Sequence, residues 1–148
     1  MATKLNSYFC NIGSDLAAKL PPSSSSQGFC DYLPNPLSNS MVFEEIAVQE
    51  VENIITKFKN RTGRGADNIP FKFIYEFSDM FSTYLCHIFN ISIQQGIYPE
   101  AMKISRTIPI PKTKTELDSP NNYRPISLLG NFSKIFEKIV AIRFLNFF

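Results

Sequence analysis

Five cations fall between residues 101 and 126: Lys103, Arg106, Lys112, Lys114 and Arg124, against Glu116 and Asp118. That local surplus exceeds the net charge of +2 carried by all 148 residues. Lysine and arginine clustered beside an open cleft can hold phosphates, because they neutralise the backbone charge and displace its counterions. Arginine can also grip a phosphate through a fork of two hydrogen bonds. On charge alone, a solvated polar loop between two strands is the better explanation of the cluster, because small charge clusters are common on surfaces. Other chemistry is poorly supplied. His87 is the only histidine. Its neighbour Cys86 would point about 100° away on a helix, so the two do not read as a nucleophile and its base. Gly63 and Gly65 lack the Lys-Ser/Thr partner of a Walker-type phosphate loop. Glu44 and Glu45 are adjacent and far in sequence from the basic stretch; they read as a charged, solvated face.

Those cations must be positioned by elements that the hydrophobic pattern marks out. From Ile104 the rhythm is that of a strand: Ile104, Arg106, Ile108 and Ile110 share one side, Ser105 and Thr107 the other. Pro109 and Pro111 cannot donate ladder hydrogen bonds, which predicts an edge strand or its end. A polar loop, 112–122, leads to a second extended segment, 123–129, with Pro125 within it. Asn131 is a candidate cap for a last helix with Phe132, Ile135, Phe136, Ile139 and Val140 facing inward.

Upstream, 41–46 reads as a short extended piece. Val48, Val51, Ile54, Ile55 and Phe58 mark one face of a helix. Its start is poorly capped, because Ala47 stands where Ser or Thr would pair with Glu50. Gly63 and Gly65 require a turn. Asp67 is a candidate cap for a helix with Pro70 near its first turn and Phe71, Ile74 and Phe77 inward. A further helix carries Phe81, Tyr84, Leu85, Ile88 and Ser92 as its stripe, with Gly96 as its stop and Pro99 beyond. Residues 5–20 show a weaker helical pattern interrupted by Gly13. Pro21-Pro22, Ser23–Ser26 and the proline- and asparagine-containing 30–40 read as a link and irregular chain.

Composition sets outer bounds. With 44% hydrophobic and 19% charged residues the chain is globular, and 148 residues imply one domain. Fourteen Phe and six Tyr demand burial, within the chain or against something outside it. Cys10, Cys30 and Cys86 are odd in number and widely spaced, which predicts free thiols in a reducing compartment. No apolar leader follows Lys4, and Glu137, Lys138 and Arg143 interrupt the most apolar stretch, 135–148. The expectation is an intracellular chain, nuclear or cytoplasmic, neither secreted nor in contact with a membrane.

The order of these features resembles a known family. Ile108-Pro109-Ile110-Pro111-Lys112, a polar loop, then Asn121-Asn122-Tyr123-Arg124-Pro125-Ile126-Ser127-Leu128-Leu129 is similar to the fingers hairpin of non-LTR retrotransposon reverse transcriptases of the jockey and LINE kind. Gly65, Asp67, Ile69 and Pro70 match that family's G-x-D-x-I-P signature. Phe89-Asn90, Gly96, Pro99 and Lys103 match its next helix and exit turn; Lys134, Ile135, Glu137, Lys138 and Arg143 match the helix after the hairpin. The match covers 41–148. Residues 1–40, with Tyr8, Phe9, Asn11, Ile12 and Gly13, resemble the segment upstream of the polymerase domain. Ala47, Ala66 and Asn68 depart from the pattern, where Ser/Thr, Pro and Gly are usual.

The resemblance implies an α+β fold: a helix-rich part of a fingers subdomain with a small β-hairpin, palm and thumb absent. It implies that Lys112 and Arg124 touch the triphosphate of an incoming nucleotide. It also implies that Arg106, Lys103, Lys114 and the Gly65–Asp67 turn contact template or nucleotide. The implied partners are an RNA template, a DNA primer, a dNTP and the missing palm. The family's Mg2+ is held by aspartates downstream of the hairpin; after Asp118 this sequence offers only Glu137, and no Asp-Asp pair occurs. No catalytic or metal residue is therefore expected here, and the chain is not expected to polymerise alone. A small non-catalytic interaction module and a non-functional relic with Phe144, Phe147 and Phe148 exposed are the competing expectations.

Overall fold

The computed structural model describes residues 1–21, 28, 31, 41–60, 62–115 and 117–147. The Ser23–Ser26 link, Cys30, nearly all of 30–40, Glu116 and Phe148 lie outside the described residues. Among the described residues five α-helices and one hairpin follow in order: α1 (Ala2–Ala17), α2 (Val48–Lys57), α3 (Phe71–Glu76), α4 (Ser78–Gln95), β1 (Ser105–Pro111), β2 (Tyr123–Leu129) and α5 (Asn131–Phe147). The protein is thus mostly helical with a two-stranded antiparallel sheet, an α+β arrangement. No helix among the described residues is long and apolar enough to cross a membrane. Two compact units are distinguished, Met1–Ser40 with Pro109–Pro125, and Met41–Ile108 with Ile126–Phe148.

The second unit holds the core. Val51, Ile54, Ile55 and Phe58 of α2 pack with Phe71 and Ile74 of α3, Leu85 and Phe89 of α4, and Ile135, Phe136 and Ile139 of α5. Each fully buried side chain of this size contributes about 1.5–3 kcal/mol of transfer free energy. Phe89 stacks on Phe136 with centroids 4.5 Å apart, and Tyr98 stacks on the same ring at 5.3 Å. Arg143 of α5 forks onto the Glu50 carboxylate of α2 at 2.9 and 3.4 Å. Glu50 lies near the start of α2 and Arg143 near the end of α5, while Phe58, just past the end of α2, lines a depression with Lys134 and Lys138 near the start of α5, so these two helices run antiparallel. Glu44 is exposed, as expected, 3.9 Å from the same arginine.

Two buried faces differ from their expectation. Phe77 is 49% exposed because it stands between α3 and α4 rather than on an inward helical face. In α4 the buried residues are Ser82, Leu85, Cys86, Phe89 and Ser92, while Tyr84 and Ile88 are 65% and 41% exposed. The helix is turned so that Asn90 can reach the 41–46 segment. Ile46 N–H donates to Asn90 Oδ1 (2.7 Å), and Asn90 Nδ2 donates back to the Ile46 carbonyl (2.9 Å). This clasp replaces a strand neighbour, and 41–46 forms no strand. Helix α4 ends as expected at Gly96, in the left-handed region at φ 66°. Gly96 N–H bonds the Ile93 carbonyl and Ile97 N–H the Ser92 carbonyl, a Schellman closure.

Helix caps also depart from expectation. Ala47 caps α2 without a side-chain bond, as the sequence suggests. Asp67 does not cap α3, whose cap position is Pro70. Its Oδ1 accepts from the Ile69 N–H (3.2 Å) in a local Asx turn. Asn131 is the first residue of α5 rather than its cap; its buried carboxamide donates to the carbonyls of Ile69 (2.8 Å) and Gly63 (3.2 Å). Gly65 is buried against the start of α5, and a Cβ built on it would stand 2.4 Å from the Gly130 Cα. Gly65→Ala is expected to destabilise the fold by about 1–3 kcal/mol through this backbone clash. Gly13→Ala, with open space around its site, is expected to leave the thermal midpoint unchanged or raise it. Thermal melts of the two variants check this.

Candidate nucleic-acid interface

The hairpin carries the cations singled out by charge. Lys112 N–H donates to the Asn122 carbonyl at 2.7 Å, one residue past the end of β1 and one before the start of β2, in line with a ladder that sets Pro111 opposite Tyr123. Stepping back along the ladder pairs Ile110 with Arg124, and leaves Pro109 opposite Pro125 and Pro111 opposite Tyr123 as non-bonded pairs. The three prolines therefore sit where no ladder N–H is needed, and both strands run through them. Residues opposite one another share a sheet face, and alternate residues along a strand do so too. Lys112 and Arg124 are consequently diagonal neighbours on one face, about 7–8 Å apart by strand geometry.

Both side chains are exposed. Lys112 Nζ donates to the Asn121 carbonyl (2.7 Å), which holds its stem along the hairpin end. Among the described residues Arg124 has no ion-pair partner. The loop between the strands is ordered by Tyr123, whose hydroxyl donates to the Leu117 carbonyl (2.9 Å). Tyr8 of α1 donates its hydroxyl to Asn121 Oδ1. Lys114 is exposed on that loop. In the other unit, Arg106 is exposed on β1 and Lys103 is ion-paired with Glu100, three residues before it. Exposed pairs of that kind contribute little and exchange readily. Asp67 is exposed in the turn that precedes α3, whereas Gly65 is buried in it. Asn68 takes a left-handed conformation, φ 61°, which asparagine tolerates better than other non-glycine residues.

Sequence reasoning took Asn131 for a cap and missed the packing of Gly130. Together they bind the Gly65–Pro70 signature to the start of α5; the available signal was the Gly-Asn pair at 130–131, far downstream of the glycine-rich turn. The described residues do not fit a magnesium site. No three of their His, Cys, Asp or Glu side chains come together, and Glu44 and Glu50 both face Arg143.

Cys86 is buried in α4. Its Sγ donates to the Ile46 carbonyl (3.0 Å), and burial pushes its pKa above the ordinary 9.0, with Glu45 and Glu50 adding to the rise. Tyr98 is raised in the same way by burial first and Glu137 next, with Ser133 acting in the opposite sense. Its hydroxyl has no hydrogen-bond partner among the described residues.

The chain is thus a mostly helical segment with a two-stranded, cation-bearing hairpin, and comparison with known proteins says what it is similar to. No family model matches the chain. Over 116 residues, 78% of its length, it is 31% identical to the RNA-directed DNA polymerase of the mobile element jockey from Drosophila melanogaster. Over 113 residues it is 30% identical to the probable RNA-directed DNA polymerase of transposon BS from the same fly. Over 130 residues, 88% of its length, it is 27% identical to the jockey polymerase of Drosophila funebris. These alignments cover 13%, 12% and 14% of the three relatives. The chain is thus similar to one segment of non-LTR retrotransposon reverse transcriptases and spans about an eighth of their length.

A thiol held above its ordinary value leaves stability intact below pH 9.0 and removes it as pH rises further, because the unfolded thiol ionises first. Urea melts are expected to be level up to about pH 8.5 and to fall beyond it. In a chain with Cys10 and Cys30 replaced by Ser, alkylation of Cys86 is expected to be slow when folded and fast in urea.

Proposed function

We propose that this chain supplies the template- and nucleotide-facing contacts of an RNA-directed DNA polymerase of the non-LTR retrotransposon kind, with Lys112 and Arg124 as the phosphate-binding pair. The observation that supports this is their common face: the 112–122 pairing makes two exposed cations diagonal neighbours on one hairpin. Two positive groups at that spacing suit the oxygens of a triphosphate, and Arg124 can offer its fork. Arg106, Lys114 and Lys103 act as further contacts to the template backbone. Lys103 must first exchange its Glu100 partner for phosphate. Gly65 and Asp67 act through the shape of their turn, which carries the start of α5. The reaction itself needs metal-binding carboxylates that these residues do not supply, so the chain works as part of a larger polymerase.

A second reading, contact with a protein, is favoured by one observation. Phe77, Tyr84, Ile88 and Ile91 present an exposed apolar stripe along α4. Under the first reading the palm and the rest of the polymerase cover such surfaces.

Anisotropy of a labelled primer–template is expected to show weak binding that fades with salt, with a smaller salt slope for Lys112→Ala/Arg124→Ala by about one per cation removed. Unchanged binding by the double variant removes both residues from the interface. No primer extension with Mg2+ and dNTPs is expected from the chain alone; extension would contradict the assignment of roles.

A further inference from the structure

Helix α4 turns one face to the core and leaves a second apolar face uncovered. Phe77 at its head and Met80, Tyr84, Ile88 and Ile91 along it are 37–65% exposed. Phe73 of α3 extends the line, its ring 5.0 Å from that of Phe77. At 100° per residue, Met80, Ile88 and Ile91 all fall within about 40° of the Tyr84 direction. The buried Leu85, Cys86 and Phe89 lie about 100–160° round the helix from it. Asp79 points about 140° away, and His87 stands exposed at the edge of the stripe, where it can keep its water. The centre of the stripe therefore carries no charge.

The stripe reads the same from either end. Counted from Tyr84, its members lie seven and four residues before it and four and seven residues after it. Two copies laid antiparallel about a two-fold axis at Tyr84 set Phe77 against Ile91, Met80 against Ile88, and Tyr84 against its own counterpart. A two-fold contact uses the same patch on both partners and needs one that complements itself in this way. The antiparallel arrangement also lays the positive end of each helix beside the negative end of the other. The six side chains expose on the order of 500 Å2, a patch that on a soluble monomer marks an interaction surface. A symmetric pair buries about 1,000 Å2, the lower bound for a specific interface, which fits a weak and reversible dimer.

We propose that the exposed face of α4 binds a second copy of this chain as an antiparallel helix pair centred on Tyr84. This pairing rests on the reading of the stripe as a protein contact and gives that contact its partner; it is independent of the hairpin cations. Analytical ultracentrifugation of the full chain is expected to show the mass rising from one chain towards two between about 1 and 100 μM. The thermal midpoint is expected to rise with concentration over the same range. Met80→Lys or Ile88→Glu alone is expected to weaken self-association by about tenfold or more, because each sets a charge against an apolar side chain of the partner. The two substitutions in one chain are expected to restore it, since the antiparallel register brings position 80 of one copy to position 88 of the other. A misfolded variant is not rescued in this way, and a parallel pair would set like charges together. A wild-type chain that stays monomeric at about 100 μM overturns the proposal, and so does a double variant that fails to regain association. In a monomeric chain, stabilisation by a separately expressed palm of a jockey-type polymerase, lost in Ile88→Glu, keeps the stripe as a contact within the polymerase. With no such stabilisation the contact reading falls as well.

Discussion

The meeting of two backbones at Gly65 and Gly130 is the constraint on which the larger unit depends. Gly65 has no room for a side chain, because one added there would strike the Gly130 backbone; one added at Gly130 would meet Asp67 Oδ2 at 2.9 Å, the end of a side chain that can move aside. Asn131 then closes the junction, because the two amide hydrogens of its buried carboxamide bond the carbonyls of Gly63 and Ile69 on either side of the turn. Left unpaired, each such group costs on the order of 1–3 kcal/mol. The junction joins the turn after α2 to the point where β2 becomes α5. It therefore fixes where the hairpin leaves the helices and where α5 enters the core.

Much of this was legible in the sequence, and the limits are instructive. The faces of α2 and α5 follow from one clear stripe each, and Gly96 announces its own left-handed cap. The face of α4 was misjudged because that helix carries two apolar stripes. Periodicity gives equal weight to Tyr84 and Ile88 on one side and Cys86 and Phe89 on the other. Only the long-range clasp of Asn90 on Ile46 decides between them. Local sequence favours a capping role for the short polar side chains of both Asp67 and Asn131. Contacts more than sixty residues apart divert Asn131, and the Asp67 carboxylate serves its own turn. For the hairpin, strand and loop bounds were readable, but the shared face of Lys112 and Arg124 required the register.

The distribution of charge now reads differently from the composition. A net charge of +2 conceals cations gathered on the hairpin, while acidic residues such as Glu44, Glu45 and Glu50 collect around Arg143. The hairpin end lies in one unit and Arg143 in the other. The relatives, named as RNA-directed DNA polymerases, match across both units.

The prolines of the hairpin carry one more consequence. In a two-stranded ladder, the residues of non-bonded pairs turn their amide groups outward, away from the partner strand. At 109, 111 and 125 those outward groups have no hydrogen to give. A passing extended chain therefore finds gaps in the row of donors along both rims near the tip. Isolated sheets tend to recruit further strands at such rims. Here the same residues that leave the internal ladder whole make the hairpin a poor template for amyloid-like growth.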